Sequence, residues 1–143
     1  MATERKASVT WQGDLMSGHG TIESVTSGML GPLEVDWANR AEDAQGKTSP
    51  EELIAAAHAA CFAMALSHGL AQAGHTPERL ETSSTITFVP GTGITKSALT
   101  VTGTVPGLDE DGFRQAAEEA KENCPVSGAL KGNVELELDA RLA

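Results

Sequence analysis

The sequence predicts an α+β fold, and three observations carry that reading. Short stretches alternate apolar and polar residues with a period of two. One long alanine-rich segment has helix signals at both ends. A second, charged segment has a helix start and a proline stop. The order is βββ-α-ββ-α-β, which suits antiparallel sheets packed on helices. At 143 residues the chain is long enough for one domain with one core, so 1–143 is read as a single domain.

The elements follow in order. In "ASVTWQG" Val9 and Trp11 share one face. "GTIESVTS" follows. In "LEVDWA" Leu33, Val35 and Trp37 face one way and Glu34 and Asp36 the other. Such alternation predicts half-buried strands joined by glycine turns. "NRAEDAQGKTS" has no periodicity and reads as a polar loop.

The long helix opens clearly. Ser49 caps it, Pro50 takes the first helical position, and Glu52 stands three residues after Ser49. Gly74 suits the left-handed residue that ends it. The helix then holds about 24 residues and spans ~36 Å. It is apolar on more than one face, so burial all round is expected. Leu53–Ala73 is long enough for a membrane span, but His58, Ser67, His68 and Gln72 interrupt it and alanine inserts weakly. A buried helix of a soluble protein is the better reading.

"TSSTITFV" and "ITKSALTVTGTV" are the next strands, joined by a "PGTG" turn. Asp109 caps a surface helix through "RQAAEEAKEN". That helix stops before Pro125, because proline disfavours helical backbone in the residue before it. "NVELELDARL" closes the chain, setting Val134, Leu136 and Leu138 against Glu135, Glu137 and Asp139.

Composition narrows the function. The net charge of −10 repels phosphate backbones, and three Phe, two Trp and no Tyr leave few platforms for bases. Nucleic acid is an unpromising partner. Two cysteines are not a disulfide scaffold, and "MATERKASVTW" has no apolar leader. The expectation is a cytoplasmic protein whose thiols stay reduced.

The two cysteines are the first candidates for chemistry. Cys61 lies mid-helix, where a buried thiol often only fills space. Cys124 sits before Pro125, and if "PVSGAL" forms a helical turn it is that turn's N-cap, a place that favours thiolate. A reactive and a resolving thiol fit this placement. Zinc is the rival. His58 and Cys61 share a helix face and Cys124 adds a third donor. Yet four ligands at short spacings are missing, and His19, His68 and His75 follow no ligand pattern. For His58 alone, a packed core histidine is the plainest role.

"TSPEELIAAAHAACFAMAL", followed about sixty residues later by "CPVSGAL", resembles the OsmC/Ohr family, the osmotically inducible protein C and organic hydroperoxide resistance proteins. "VTWQGDL", "GHGTI", "WANRAED", "GITKSALTV" and the closing strand extend the resemblance over nearly the whole chain. Arg40, just before the long helix, places it with the OsmC branch, because "SGHGT" carries no arginine. The resemblance implies a thiol-dependent peroxidase. Cys61 would be the nucleophile, Cys124 the resolving cysteine, Arg40 the activating cation and Glu51 its carboxylate partner. It implies an organic hydroperoxide substrate, recycling by an external dithiol, and no metal, flavin or haem. The alternatives are a non-catalytic module holding an apolar ligand near Phe62 and Met64, and the zinc protein.

Ten residues of helix separate Glu51 from Cys61, which is ~15 Å along the axis and a rotation of ~80°. If both serve one site, one must come from a second chain. An intertwined homodimer with antiparallel β-sheets around long central helices satisfies this, and the family resemblance implies the same.

Overall fold

The structure, a computed structural model, describes residues 1–143. The chain divides into two compact units, Met1–Leu53 and Ile54–Ala143.

The first unit holds β1 (Ala7–Gln12), β2 (His19–Val25) and β3 (Leu33–Val35) in one antiparallel sheet, in that order. The alternation in β1 is present, yet Val9 and Trp11 are exposed rather than half-buried. The third strand is shorter than its alternation predicts. Asp36 turns the chain into a helix, α1 (Trp37–Ala41), where a loop was expected. The cause is local. The Asp36 carboxylate accepts the Asn39 N–H at 2.8 Å, and that cap diverts Trp37 from the strand. The Asn39 amide then donates to the carbonyls of Asp43 and Ala44, closing the next loop.

The long helix α2 (Pro50–Gln72) starts as expected. Ser49 Oγ accepts the Glu52 N–H at 3.1 Å, but the Glu52 carboxylate bonds Thr48 rather than reaching back to Ser49, so half of the capping box forms. At the other end Gly74 has φ +86°. Its N–H bonds Ala71 and that of His75 bonds Leu70, the paired bonds of a Schellman close. Burial all round is not found within the chain. His58, Phe62, Leu66 and Leu70, spaced by four, form the buried stripe. Ala56, Ala57, Ala60 and Met64 lie exposed. By length and composition α2 would suffice to cross a membrane. Its Phe62, Leu66 and Leu70 instead belong to the core.

The second unit carries β4 (Arg79–Val89), β5 (Gly93–Thr104) and β6 (Glu135–Leu142), with β5 in the middle. β4 and β5 form an antiparallel hairpin. β6 joins parallel to β5, so this sheet is mixed and not wholly antiparallel. The reason is the connection. α3 (Glu110–Asn123) and α4 (Pro125–Leu130) carry the chain back to the end where β5 began, and a parallel pair requires such a crossover. Asp109 caps α3 through the Gly112 N–H, as expected. In β6 Leu136, Leu138, Ala140 and Leu142 turn inward and the acids between them outward. Phe62, Leu66, Leu70, Leu99, Val101, Phe113 and Ala117 make the centre of the core.

A methyl added at Gly103 of β5 would lie 2.5 Å from two ring carbons of Phe113 and 3.2 Å from Leu80. Phe113 is fully buried, so its ring has nowhere to retreat. Gly103→Ala is expected to cost about 1–3 kcal/mol of stability, measured by urea unfolding. An unchanged midpoint would show that this core yields.

Candidate functional site

α2 presents Cys61, and the junction of α3 with α4 presents Cys124. The junction is tightly specified. Cys124 N–H closes α3 on Ala120 at 2.9 Å, and its carbonyl accepts the Gly128 N–H at 3.0 Å to open α4. Pro125 takes the first turn of α4, where its missing N–H costs nothing. Cys124 is the N-cap expected from the sequence, although its side chain makes no capping bond.

The two thiols are neighbours. Both are reduced; Cys61 is half-buried and Cys124 is 1% exposed. Burial pushes the Cys61 pKa up, and the Cys124 thiol, hydrogen-bonded to it, raises it further. The Val126 backbone N–H, also bonded to the sulfur, pulls the other way. With these neighbours alone Cys61 is a thiol at neutral pH, and a nucleophile there needs a cation.

The other two predicted residues also meet, within the first unit. Arg40 Nε lies 3.0 and 3.2 Å from the two Glu51 oxygens, and its Nη2 lies 2.8 Å from Oε1. This forked pairing fixes the guanidinium plane. Glu51 stands in the first turn of α2, where the helix dipole favours a carboxylate, and is 7% exposed. Arg40 lies in the last turn of α1, and its guanidinium carbon lies 6.0 Å from the centre of the Trp37 ring, within cation–π range. The Trp37 contact was not legible in advance, because Trp37 read as part of a strand.

His58 is a core histidine with more to do than fill space. It is fully buried, with Nδ1 2.6 Å from Ser97 Oγ and Nε2 2.8 Å from Ser127 Oγ. Ser97 continues to Ser84 at 2.9 Å. Serines on both ring nitrogens leave the zinc alternative without its imidazole. Phe62 is sealed in the core and Met64 points outward, so neither forms an apolar pocket beside Cys61 within the chain.

Burial lowers the His58 pKa below the usual imidazole value. The unfolded chain therefore takes up a proton near pH 6.5 that the folded chain refuses. Stability rises with pH in that window and falls as pH drops below about 6.5 toward the folded value. Urea unfolding from pH 7.5 to 5.5 should show this loss, and His58→Gln should flatten it. An equal slope in the variant would assign the acid sensitivity elsewhere.

Comparison with known proteins identifies the family. A family model described as OsmC-like protein matches residues 42–139. The chain is 41% identical over 140 residues to peroxiredoxin OsmC of Escherichia coli (strain K12), covering 96% of each. It is 29% identical over 136 residues to the organic hydroperoxide resistance protein OhrB of Bacillus subtilis (strain 168), covering 94% of this chain and 96% of that one. The crystal structure of Bacillus subtilis OhrB matches with a TM-score of 0.72 at 28% identity, over 95% of this chain and 98% of that one. The chain belongs to the OsmC-like family.

Proposed function

We propose that this protein is a cysteine-based peroxidase that reduces organic hydroperoxides to alcohols in stress defence. The observation that carries the reading is the contact of two reduced thiols drawn from distant parts of the chain, one half-buried and one sealed. The names of the relatives support the same class. One is a peroxiredoxin and the other an organic hydroperoxide resistance protein.

The chemistry follows from the two positions. The Cys61 thiolate attacks the terminal peroxide oxygen. The O–O bond breaks, and the alkoxide leaves and takes up a proton as the alcohol. Cys61 is left as a sulfenic acid, and Cys124 condenses with it to a disulfide with loss of water. An external dithiol reduces that bond by exchange. The residues invoked need no metal, flavin or haem. The setting proposed is the cytoplasm, where such a disulfide is transient, and 1–143 acts as one functional domain.

Arg40 is the proposed activator, held in place by Glu51. A guanidinium beside Cys61 would offset the burial that raises its pKa. We assign that guanidinium to a second copy, in a homodimer whose sites combine Arg40 and Glu51 of one protomer with Cys61 and Cys124 of its partner. Exposed apolar surface supports pairing. Val9, Trp11, Leu15, Met16, Met29 and Leu30 are all at least 40% exposed in one chain. The unburied alanine stripe of α2 adds to it.

Mass spectrometry tests the chemistry. Reduced protein treated with cumene hydroperoxide should give one Cys61–Cys124 crosslink, and Cys61→Ser should consume no peroxide. Persistent thiols, or an active Cys61→Ser, would end this reading. Complementation tests the shared site. Cys61→Ser and Arg40→Ala chains, each inactive alone, should form heterodimers with one working site of the two. Verified heterodimers without activity would confine each site to one chain.

A further inference from the structure

We propose that His58 is a positioning residue for the resolving cysteine: through Ser127 it holds α4 in the register that sets Cys124 against Cys61. This rests on the disulfide chemistry proposed above and adds the element that aligns it.

Two matched spacings carry the inference. His58 and Cys61 are three residues apart on α2 and share its face. Cys124 and Ser127 are three apart across the start of α4. The Cys61 and Cys124 thiols are neighbours, and His58 Nε2 lies 2.8 Å from Ser127 Oγ. α4 is thus pinned to α2 at two points about one turn apart. Two points fix both the separation and the rotation of a short segment.

α4 needs such a pin. It has six residues, too few for a helix to persist on its own cooperativity. Its one buried residue is Ser127, 1% exposed. A hydroxyl gains nothing from leaving water unless it is hydrogen-bonded, so the imidazole is what makes that burial tolerable. The opposite ring nitrogen meets Ser97 of β5, and Ser97 meets Ser84 of β4. The imidazole is therefore a strut between the sheet and α4. Every buried side-chain nitrogen and oxygen has a partner, so removing one member leaves another stranded.

The strut bears on one step. Cys124 sulfur attacks the Cys61 sulfenic sulfur. The S–O bond breaks, the S–S bond forms, and hydroxide leaves as water with the Cys124 proton. This step needs the attacking sulfur held opposite the departing oxygen, and its rate follows that alignment. Peroxide attack at half-buried Cys61 feels α4 only through the Val126 N–H and the Cys124 thiol beside the sulfur, and it needs no alignment of the two sulfurs.

The test separates the two steps. Reduced protein is mixed with cumene hydroperoxide and quenched over time. Mass spectrometry then counts Cys61 sulfenic acid, trapped with a cyclic dione, and the Cys61–Cys124 disulfide. Ser127→Ala and His58→Asn should form sulfenic acid within about threefold of the wild-type rate and disulfide about tenfold more slowly. His58→Gln, whose amide replaces Nε2 and keeps the Ser127 bond, should stay within about threefold of wild type. Wild-type disulfide rates in Ser127→Ala overturn the inference. So does equal slowing of both steps, which marks general destabilisation, or identical behaviour of His58→Asn and His58→Gln. A wild type that forms no crosslink overturns the cysteine-pair reading, and this inference with it.

Discussion

Everything proposed for this chain depends on one packing constraint: two thiols from opposite ends of the second unit are held in contact while still reduced. Burial and the neighbouring Cys124 thiol both raise the Cys61 pKa. Exposure decides which one meets the substrate. Cys124 is 1% exposed and Cys61 is half-buried, so in the proposed reaction Cys61 is the thiol that meets the peroxide. The proposed division into nucleophile and resolver is supported by this difference in burial. Keeping the pair pre-formed also removes the cost of bringing distant segments together after oxidation.

The same packing sets a problem that the second unit does not solve. Burial and the neighbouring thiol both hold Cys61 protonated. The Arg40–Glu51 pair is the complement to that deficit in the proposed site. An arginine already bound to a carboxylate has a weaker net field than a lone one. Its advantage is position: three contacts of 2.8 to 3.2 Å fix the guanidinium plane. Losing Glu51 would leave a stronger charge in a less definite place. Orientation outweighs raw charge when the target is a single sulfur atom, because the attraction falls steeply beyond the first contact shell.

Much of this was legible in the sequence. Ser49, Pro50 and Gly74 marked the limits of α2, and Cys124 before Pro125 marked the start of α4, because capping is a local code. The alternation of β6 was readable for the same reason. The parallel pairing of β5 with β6 was not, since strand direction depends on the path of the connection rather than on the strand's own residues. α1 was hidden because Trp37 continues an alternation that only the Asp36 cap interrupts. The His58–Ser127 bond was not read from the sequence. Both spacings of three stood in the sequence, but nothing in one dimension shows that the two segments face each other.

The chain's overall charge limits what the proposed site can accept. Ten Lys and Arg stand against twenty Asp and Glu, a net −10. That field disfavours a thiolate anywhere on the molecule, and at physiological ionic strength it is screened beyond roughly 8 Å. One guanidinium at contact distance therefore outweighs a distant acidic surface, which is why activation has to be local. The same field discriminates among substrates. An anionic peroxide approaches against the net charge, whereas a neutral organic hydroperoxide is indifferent to it. The net negative charge thus favours neutral oxidants, in keeping with the reaction proposed for Cys61.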